Sequence, residues 1–317
     1  MLIGLLSCVA PSGDAGADAN WDSVGSQSDS SEAHPGLQTA SGPRNPHRRT
    51  WLDVEVGSAH ACGHNPDGSL TCWGDGHIVP FINGAEDVVE FGVGSLVSCM
   101  THAEGVPWCY YAADASYGPL SVSGATGLVV GWSVGCWTDS DQGAGCEYYY
   151  FPPSGDLGAA DIPAGDYIDI DVDRFAGCGA LNGGGLTCWG DLDLADAERP
   201  EGVFTAVAVG YFHACALTDT GAIECWGETG DAARDLLLEP PEGEFIDLSV
   251  NGEGACAIRA DGAAECWGRY HETGLLDPPT DVRFKSVDLG GSGCGLTVSD
   301  EISCWGWPYD GVLDVPR

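Results

Sequence analysis

Short runs of alternating apolar and polar residues recur along residues 51–317, and turn residues separate them. A typical stretch, residues 205–227, contains the run TAVAVG, then HACAL, the turn residues DTG and the run IECWG. Alternation over four to eight residues predicts β-strands, and a short Gly-containing segment between two such runs predicts a tight hairpin turn. The pattern therefore predicts an all-β protein built from small three-stranded units.

This unit repeats seven times, and cysteine is its most regular feature. Fourteen of the 15 cysteines form pairs in which the two residues are always ten apart. The pairs are Cys62 with Cys72, Cys99 with Cys109, Cys136 with Cys146, Cys178 with Cys188, Cys215 with Cys225, Cys256 with Cys266 and Cys294 with Cys304. First cysteines follow one another at intervals of 37 to 42 residues, which is the signature of a repeat architecture. Because one small sheet cannot bury its own faces, the seven units predict a closed seven-bladed β-propeller with three or four short strands per blade.

Each cysteine pair is placed to form a disulfide within its own blade. If the hairpin turns midway between the cysteines, their Cα atoms lie about 4.5–5.5 Å apart, a distance that a disulfide tolerates. The alternative, zinc ligation, favours shorter Cys spacings and usually His, but only His60 and His213 stand two residues before a first cysteine. We expect seven intrablade disulfides, no metal site and an oxidising compartment.

The repeated block Val-x-Val-Gly-x-x-His-x-Cys-Ala-Leu, followed by Gly-x-x-x-Cys-Trp-Gly, resembles repeats of the RCC1 type over residues 51–317. Units two and three depart from it with Cys109-Tyr110-Tyr111 and Cys146-Glu147-Tyr148. The units are shorter than eukaryotic RCC1 blades and are more similar to the compact propellers of secreted bacterial β-lactamase-inhibitory proteins, which implies largely three-stranded blades. Five units carry the Trp of Cys-Trp-Gly, expected to pack between blades: Trp73, Trp189, Trp226, Trp267 and Trp305.

The N-terminal residues predict a lipid anchor. The apolar run 2–6 leads into Leu5-Leu6-Ser7-Cys8, which resembles a bacterial lipobox, and Cys8 is the cysteine outside the seven pairs. We expect lipidation at Cys8 and treat residues 1–8 as a signal remnant whose charged n-region is encoded upstream. The alternative is a chance cysteine beside a short apolar run. The chain has no apolar run of 18 residues, so we expect membrane contact only through the lipid.

The residues after Cys8 predict a tether and then the folded domain. Residues 9–50 are rich in Ser, Gly, Asp, Ala and Pro, a composition typical of a disordered linker, and residues 51–317 form the propeller. Val9, by analogy with enteric lipoproteins, favours sorting to the outer membrane. We expect an exported protein that is lipid-anchored to the bacterial outer membrane or cell surface.

The charge is strongly negative, with 48 acidic residues, 11 basic ones and a formal net charge of −37. Such a surface repels phosphates, which argues against nucleic-acid binding. It is consistent either with a solvated, aggregation-resistant surface or with binding of cations or a basic partner. Asp169, Asp171 and Asp173 share one face of a strand, but their spacing of about 6.6–6.8 Å is too wide for one calcium ion. We interpret them as a solvated acidic face.

No catalytic residue, cofactor site or metal site is indicated, because the common hydrolase, phosphate-binding and metalloprotease motifs are missing and the eight His residues are scattered. We expect a monomeric, non-enzymatic binding module for a protein or glycan at the cell envelope. The alternatives are a metal-dependent lyase and, ranked last, a regulator of the RCC1 nucleotide-exchange type. The longest connection between cysteine pairs opens with exposed aromatic residues, so we predict that Tyr148, Tyr149, Tyr150 and Phe151 bind the partner.

Overall fold

The structure is a computed structural model, and all of its described residues belong to one structural unit. It describes residues 49–74, 82–111, 116–120, 122–139, 143–148, 162–174, 176–190, 194, 197–227, 235–269, 273–308 and 311–317. The predicted signal remnant 1–8 and almost all of the predicted tether 9–50 lie outside these residues.

Twenty-two strands are described, and they form seven antiparallel sheets, which are the blades. Blades one to three contain β1 (Asp53–Val56), β2 (His60–His64), β3 (Leu70–Gly74); β4 (Glu90–Val93), β5 (Val97–Thr101), β6 (Pro107–Tyr111), β7 (Ser116–Pro119); and β8 (Ala125–Val130), β9 (Val134–Asp139), β10 (Ala144–Tyr148). Blades four to seven contain β11 (Tyr167–Val172), β12 (Ala176–Leu181), β13 (Leu186–Gly190); β14 (Phe204–Val209), β15 (His213–Thr218), β16 (Ile223–Gly227); β17 (Phe245–Val250), β18 (Gly254–Arg259), β19 (Ala264–Gly268); and β20 (Phe284–Leu289), β21 (Ser292–Thr297), β22 (Ile302–Gly306).

The blades form a closed ring. The first strand of each blade contacts the first strand of the next, and β20 of blade seven contacts β1 of blade one. Within the described part of the chain, six sheets have three strands and blade two has four, as the short repeat length predicts. Each sheet is made of strands consecutive in the chain, so no strand is exchanged at the seam within the described residues. One 3-10 turn, Leu236–Leu238, lies between blades five and six.

The hydrophobic core is divided among the interfaces between blades. The described residues form seven clusters of buried side chains, and each cluster combines residues of two neighbouring blades. The tryptophans of the Cys-Trp-Gly segments are part of these clusters, so the prediction that they pack between blades is confirmed. This arrangement is what a repeat architecture requires, because each sheet buries its faces against its neighbours rather than within itself.

One disulfide joins the second and third strands of each blade, as the sequence predicts. The bonded pairs are Cys62 with Cys72, Cys99 with Cys109, Cys136 with Cys146, Cys178 with Cys188, Cys215 with Cys225, Cys256 with Cys266 and Cys294 with Cys304. In every blade the two cysteines are directly opposite in the antiparallel ladder.

The geometry of these bridges differs from the prediction in one respect. The Cα atoms of the paired cysteines lie 4.0–4.1 Å apart, which is closer than the distance predicted from strand geometry. In the chain-entropy account each short loop contributes roughly 2–3 kcal/mol to stability.

Candidate binding site at the central cavity

The first strands of the blades enclose a central cavity of about 740 Å³. The described residues that line it include no Lys, Arg or His but eight carboxylates. These belong to Asp53, Glu55, Asp169, Asp171, Asp173, Asp247, Glu253 and Asp288. The cavity is therefore a site of strongly negative potential on the axis of an already acidic protein.

Strand alternation places these side chains on the cavity wall. In β1, Val54 and Val56 are buried between blades, whereas Asp53 and Glu55 are only partly buried and line the cavity. Successive side chains of a strand point to opposite faces. In each blade, the residues two and four positions before the turn that follows the first strand therefore share the cavity face. Acidic residues of the cavity wall occupy one or both of these positions in blades one, four, six and seven.

Several of these carboxylates connect one blade to the next. Asp169 Oδ2 accepts a hydrogen bond from the backbone N–H of Val207 at 2.8 Å, and Asp171 Oδ2 accepts one from Val209 at 2.7 Å. The edge of a sheet presents backbone N–H groups that have no partner within the sheet. A carboxylate from the preceding blade supplies that partner, and hydrogen bonds to an ionised acceptor are the stronger kind.

The same bond recurs around the ring and across its seam. Asp247 Oδ2 accepts a hydrogen bond from Val287 N at 2.7 Å, and Asp288 Oδ2 accepts one from Val56 N at 2.5 Å. The second bond joins blade seven to blade one. Acidic side chains in the cavity therefore have a structural role in holding the ring closed.

Burial raises the pKa of these carboxyl groups above their usual value. The pKa of Asp169 and of Asp288 rises to about 6, and the pKa of Asp173 and of Asp247 rises to about 7. Hydrogen bonds from backbone N–H groups oppose this rise but do not cancel it, while the neighbouring carboxylates reinforce it for Asp247 and Asp288. Part of the cavity wall is therefore protonated near neutral pH.

Aromatic side chains lie at one mouth of the cavity. The turns after the first strands of blades three, four and five carry Trp132, Arg174 and Tyr211 at equivalent positions. The guanidinium carbon of Arg174 lies 4.3 Å from the ring centroid of Trp132 and 6.0 Å from that of Tyr211. Trp307, at the same end of blade seven, also lines the cavity; Tyr211 is 38% exposed and Trp307 is 39% exposed. We call Trp132, Arg174, Tyr211 and Trp307 the aromatic rim.

A protein-family model described as the regulator of chromosome condensation (RCC1) repeat matches residues 204–231, which contain the three strands of blade five. The fold is also that of solved propellers. The CRINKLY WD40 ectodomain of the Arabidopsis thaliana receptor kinase ACR4 is similar with a TM-score of 0.62 and 19% identity, over 83% of this chain and 97% of that one. The chain is an RCC1-like β-propeller.

Two further solved structures agree with this assignment. The ectodomain of the Physcomitrella patens receptor kinase CR4 has a TM-score of 0.61 and 21% identity, over 81% of this chain and 74% of that one. Prp20p of Saccharomyces cerevisiae has a TM-score of 0.57 and 12% identity, over 83% and 84%. No curated protein matches the sequence. No helix among the described residues of this RCC1-like propeller has the length and apolar character of a membrane span.

The expectation of a solvated acidic face on the RCC1-like propeller was wrong. Asp169, Asp171 and Asp173 do share one side of the chain, but that side is the wall of the central cavity. Two of the three carboxylates bond to the next blade, and burial raises the pKa of all three. A single strand pattern cannot reveal this, because the enclosure comes from the first strands of the other blades.

The predicted lipidation and partner-binding residues of the RCC1-like propeller stay predictions. Cys8, Tyr149, Tyr150 and Phe151 lie outside the described residues. Tyr148 is the last residue of β10, where its backbone pairs with Val134.

Sequence motifs alone missed the cavity and the aromatic rim of this RCC1-like propeller. Asp53, Glu55, Asp247 and Asp288 were not singled out, because they lie on the strands of three different blades and match no linear motif. Alignment of the repeats on the turn that follows each first strand would have revealed them. That alignment places acidic residues repeatedly at the two inward-facing positions.

Proposed function

We propose that this protein is an exported, non-enzymatic binding module whose propeller takes a protein partner at the aromatic rim. The observation that carries the proposal is the coincidence of partly exposed Trp and Tyr side chains with the mouth of a large cavity. Aromatic residues and Arg are the residue types enriched in protein interfaces, and they tend to anchor partners next to pockets.

The structural neighbours support a protein rather than a glycan as the partner. Yeast RCC1 (Prp20) has been solved bound to Kap60, and the structure of Prp20p was described together with its binding properties to Gsp1p and histones. Two other neighbours are receptor-kinase ectodomains. A propeller fold of this kind supports a binding or regulatory module in general, and the rim gives this chain a surface for that task.

Two features support export and a role outside catalysis. Disulfides in every blade are typical of proteins that fold in an oxidising compartment. The lyase alternative requires His and carboxylates that converge on a metal, and the described cavity lining contains carboxylates but no His.

The proposal includes anchoring through Cys8. Cys8→Ser should release the protein from the membrane fraction, and retention of this variant there would contradict the anchor.

Photo-crosslinking tests the partner site. A benzoyl-phenylalanine at position 211 or 307 should cross-link to the partner in envelope extracts, because both side chains are exposed at the rim. The matched control is position 298, where Val298 is 40% exposed on the turn between β21 and β22. Cross-links from position 298 but from neither rim position would overturn the proposal.

Truncation of the rim provides a quantitative test. Tyr211→Ala and Trp307→Ala should each weaken partner capture by about 30-fold, which corresponds to the ~2 kcal/mol that interface anchors contribute. Their melting temperatures should change little, since exposed side chains contribute little stability. Normal capture by both variants would place the partner elsewhere, for example on the predicted loop Tyr148–Phe151.

A further inference from the structure

The Glu55 carboxylate differs from its counterparts in the other blades. It occupies the position that Asp171, Ser249 and Asp288 hold in blades four, six and seven. Each of those three side chains accepts a hydrogen bond from a backbone N–H in the first strand of the next blade. Glu55 makes no hydrogen bond with any described residue, so the interface between blades one and two does not use it.

Other acids surround Glu55. The side chain is partly buried, and its remaining exposure is toward the cavity. Burial raises its pKa well above the usual value, and the charges of Asp288, Asp53, Asp171 and Asp247 raise it further. Buried polar groups in folded proteins nearly always have a partner, and a buried charge needs a counter-charge. The described cavity lining supplies no cation.

We infer that the central cavity binds the side chain of a lysine of the protein partner, with Glu55 as the counter-ion of its ammonium group. The inference rests on the proposed function, because the partner must present this lysine at the aromatic rim. The chemistry recognised is a primary ammonium on an alkyl chain.

The dimensions of the cavity suit this occupant. Glu55 lies two residues before Gly57, where the turn begins, so its Cα is about 6.6–6.8 Å below the rim along the strand. The four-carbon stem of lysine matches that depth. Trp307 and Tyr211 line the mouth, and aromatic rings attract cations.

A metal ion is a poorer fit. Among the described residues, no group of three or more His, Cys, Asp or Glu side chains is arranged to hold one. Calcium requires six to eight oxygen ligands at about 2.3–2.6 Å. Asp171 and Asp288 already use one carboxylate oxygen each to bond the next blade. A single ammonium group needs only one free counter-ion, which Glu55 provides.

The test uses ligand-observed NMR on the full chain with three probes. The first is a capped pentapeptide with one lysine between glycines, the second is the same peptide with norleucine, and the third is 1,5-diaminopentane. The protein variants are wild type, Glu55→Gln and the control Glu244→Gln. Glu244 is exposed and does not line the cavity, so its substitution makes the same change in net charge elsewhere.

We expect the lysine peptide to bind the wild type and Glu244→Gln equally, and to bind Glu55→Gln at least tenfold more weakly. The norleucine peptide should not bind. Wild-type affinity for the lysine peptide should rise at least about fivefold from pH 6 to pH 8, because the bound ammonium group replaces protons held by the carboxyl groups around it. These groups are Glu55 and the acids that face Glu55, namely Asp53, Asp171, Asp247 and Asp288.

Three outcomes would overturn the inference: no binding of the lysine peptide, equal binding to wild type and Glu55→Gln, or binding of the diamine without the peptide. The last outcome would assign the cavity to a free polyamine. None of these affects the cross-links from positions 211 and 307. If the lysine peptide binds in a Glu55-dependent way but positions 211 and 307 give no cross-links, the proposed function is overturned instead.

Discussion

The indole N–H of Trp73 in blade one donates a hydrogen bond to the carbonyl oxygen of Val312, 239 residues away and near the C-terminus, at 2.6 Å. Equivalent bonds run from Trp267 to Leu237 O at 3.2 Å and from Trp305 to Leu275 O at 2.8 Å. In those two cases the carbonyl belongs to the connection that precedes the blade. The C-terminal segment thus gives blade one the contact that a preceding connection gives to other blades.

This closure predicts that Val312 matters for stability far more than its terminal position indicates. Val312 is buried in one cluster with Trp51, Trp73 and Cys294. Val312→Ala should lower the free energy of unfolding by roughly 2 kcal/mol, because the substitution leaves a cavity at the seam. Val298→Ala, at an exposed position, should change it by less than about 0.5 kcal/mol. Denaturant unfolding with the disulfides intact measures both, and equal midpoints would contradict the closure.

The seven blades and their disulfides were predictable because the information is local and periodic. Cys215 and Cys225 reveal their pairing through a spacing of ten residues, and seven repetitions leave little freedom in the architecture. The cavity was not predictable in this way. Asp169 on its own strand has the pattern of a solvated residue, and its burial depends on strands of other blades. Its bond to Val207 joins positions 38 residues apart, a distance at which strand alternation carries no information.

The cavity predicts an unusual pH dependence of stability. Asp169, Asp173, Asp247 and Asp288 have pKa values raised from 3.8 to between about 6 and 7. A group with a raised folded-state pKa contributes stability that is fully present below about pH 4 and is lost as the pH rises through about 6 to 7. His213 acts oppositely: burial lowers its pKa from 6.5 to about 4, so its contribution is lost as the pH falls.

We therefore expect the free energy of unfolding to be greatest near pH 5, because four acids with these raised values outweigh one histidine. It should be lower at pH 8 than at pH 5. Denaturant titrations at pH 4, 5, 6, 7 and 8 measure this curve. A maximum at pH 7.5 or above would show that the cavity carboxylates are not desolvated.

His213 offers a second test of the repeat geometry. Its ring has no hydrogen-bond partner among the described residues, whereas Nε2 of the equivalent His60 lies 3.4 Å from Ser98 Oγ in the next blade. Repeat equivalence places Ala255 where Ser98 would be. Ala255→Ser should raise the His213 pKa from about 4, because the hydroxyl can accept from the protonated ring. NMR titration of the ring measures it, with Ala257→Ser as control, and an unchanged pKa would contradict the placement.

Glu55 and Asp171 occupy equivalent positions, and their substitution should have opposite effects on stability. Asp171 accepts hydrogen bonds from Val209 N and Val172 N, so Asp171→Ala leaves both N–H groups without that acceptor and should lower the free energy of unfolding. Glu55 has no such partner. Glu55→Gln therefore removes only the unfavourable charge and should raise the free energy of unfolding at pH 8.

The gain from Glu55→Gln should shrink at pH 5. The pKa of Glu55 is raised well above its usual value, so the wild-type side chain carries less charge at pH 5 than at pH 8. A residue that destabilises the fold without bonding to it is what a binding site requires, because a ligand supplies the missing partner. If Glu55→Gln instead destabilises the protein as much as Asp171→Ala does, then Glu55 has a structural role and is not a counter-ion held for a ligand.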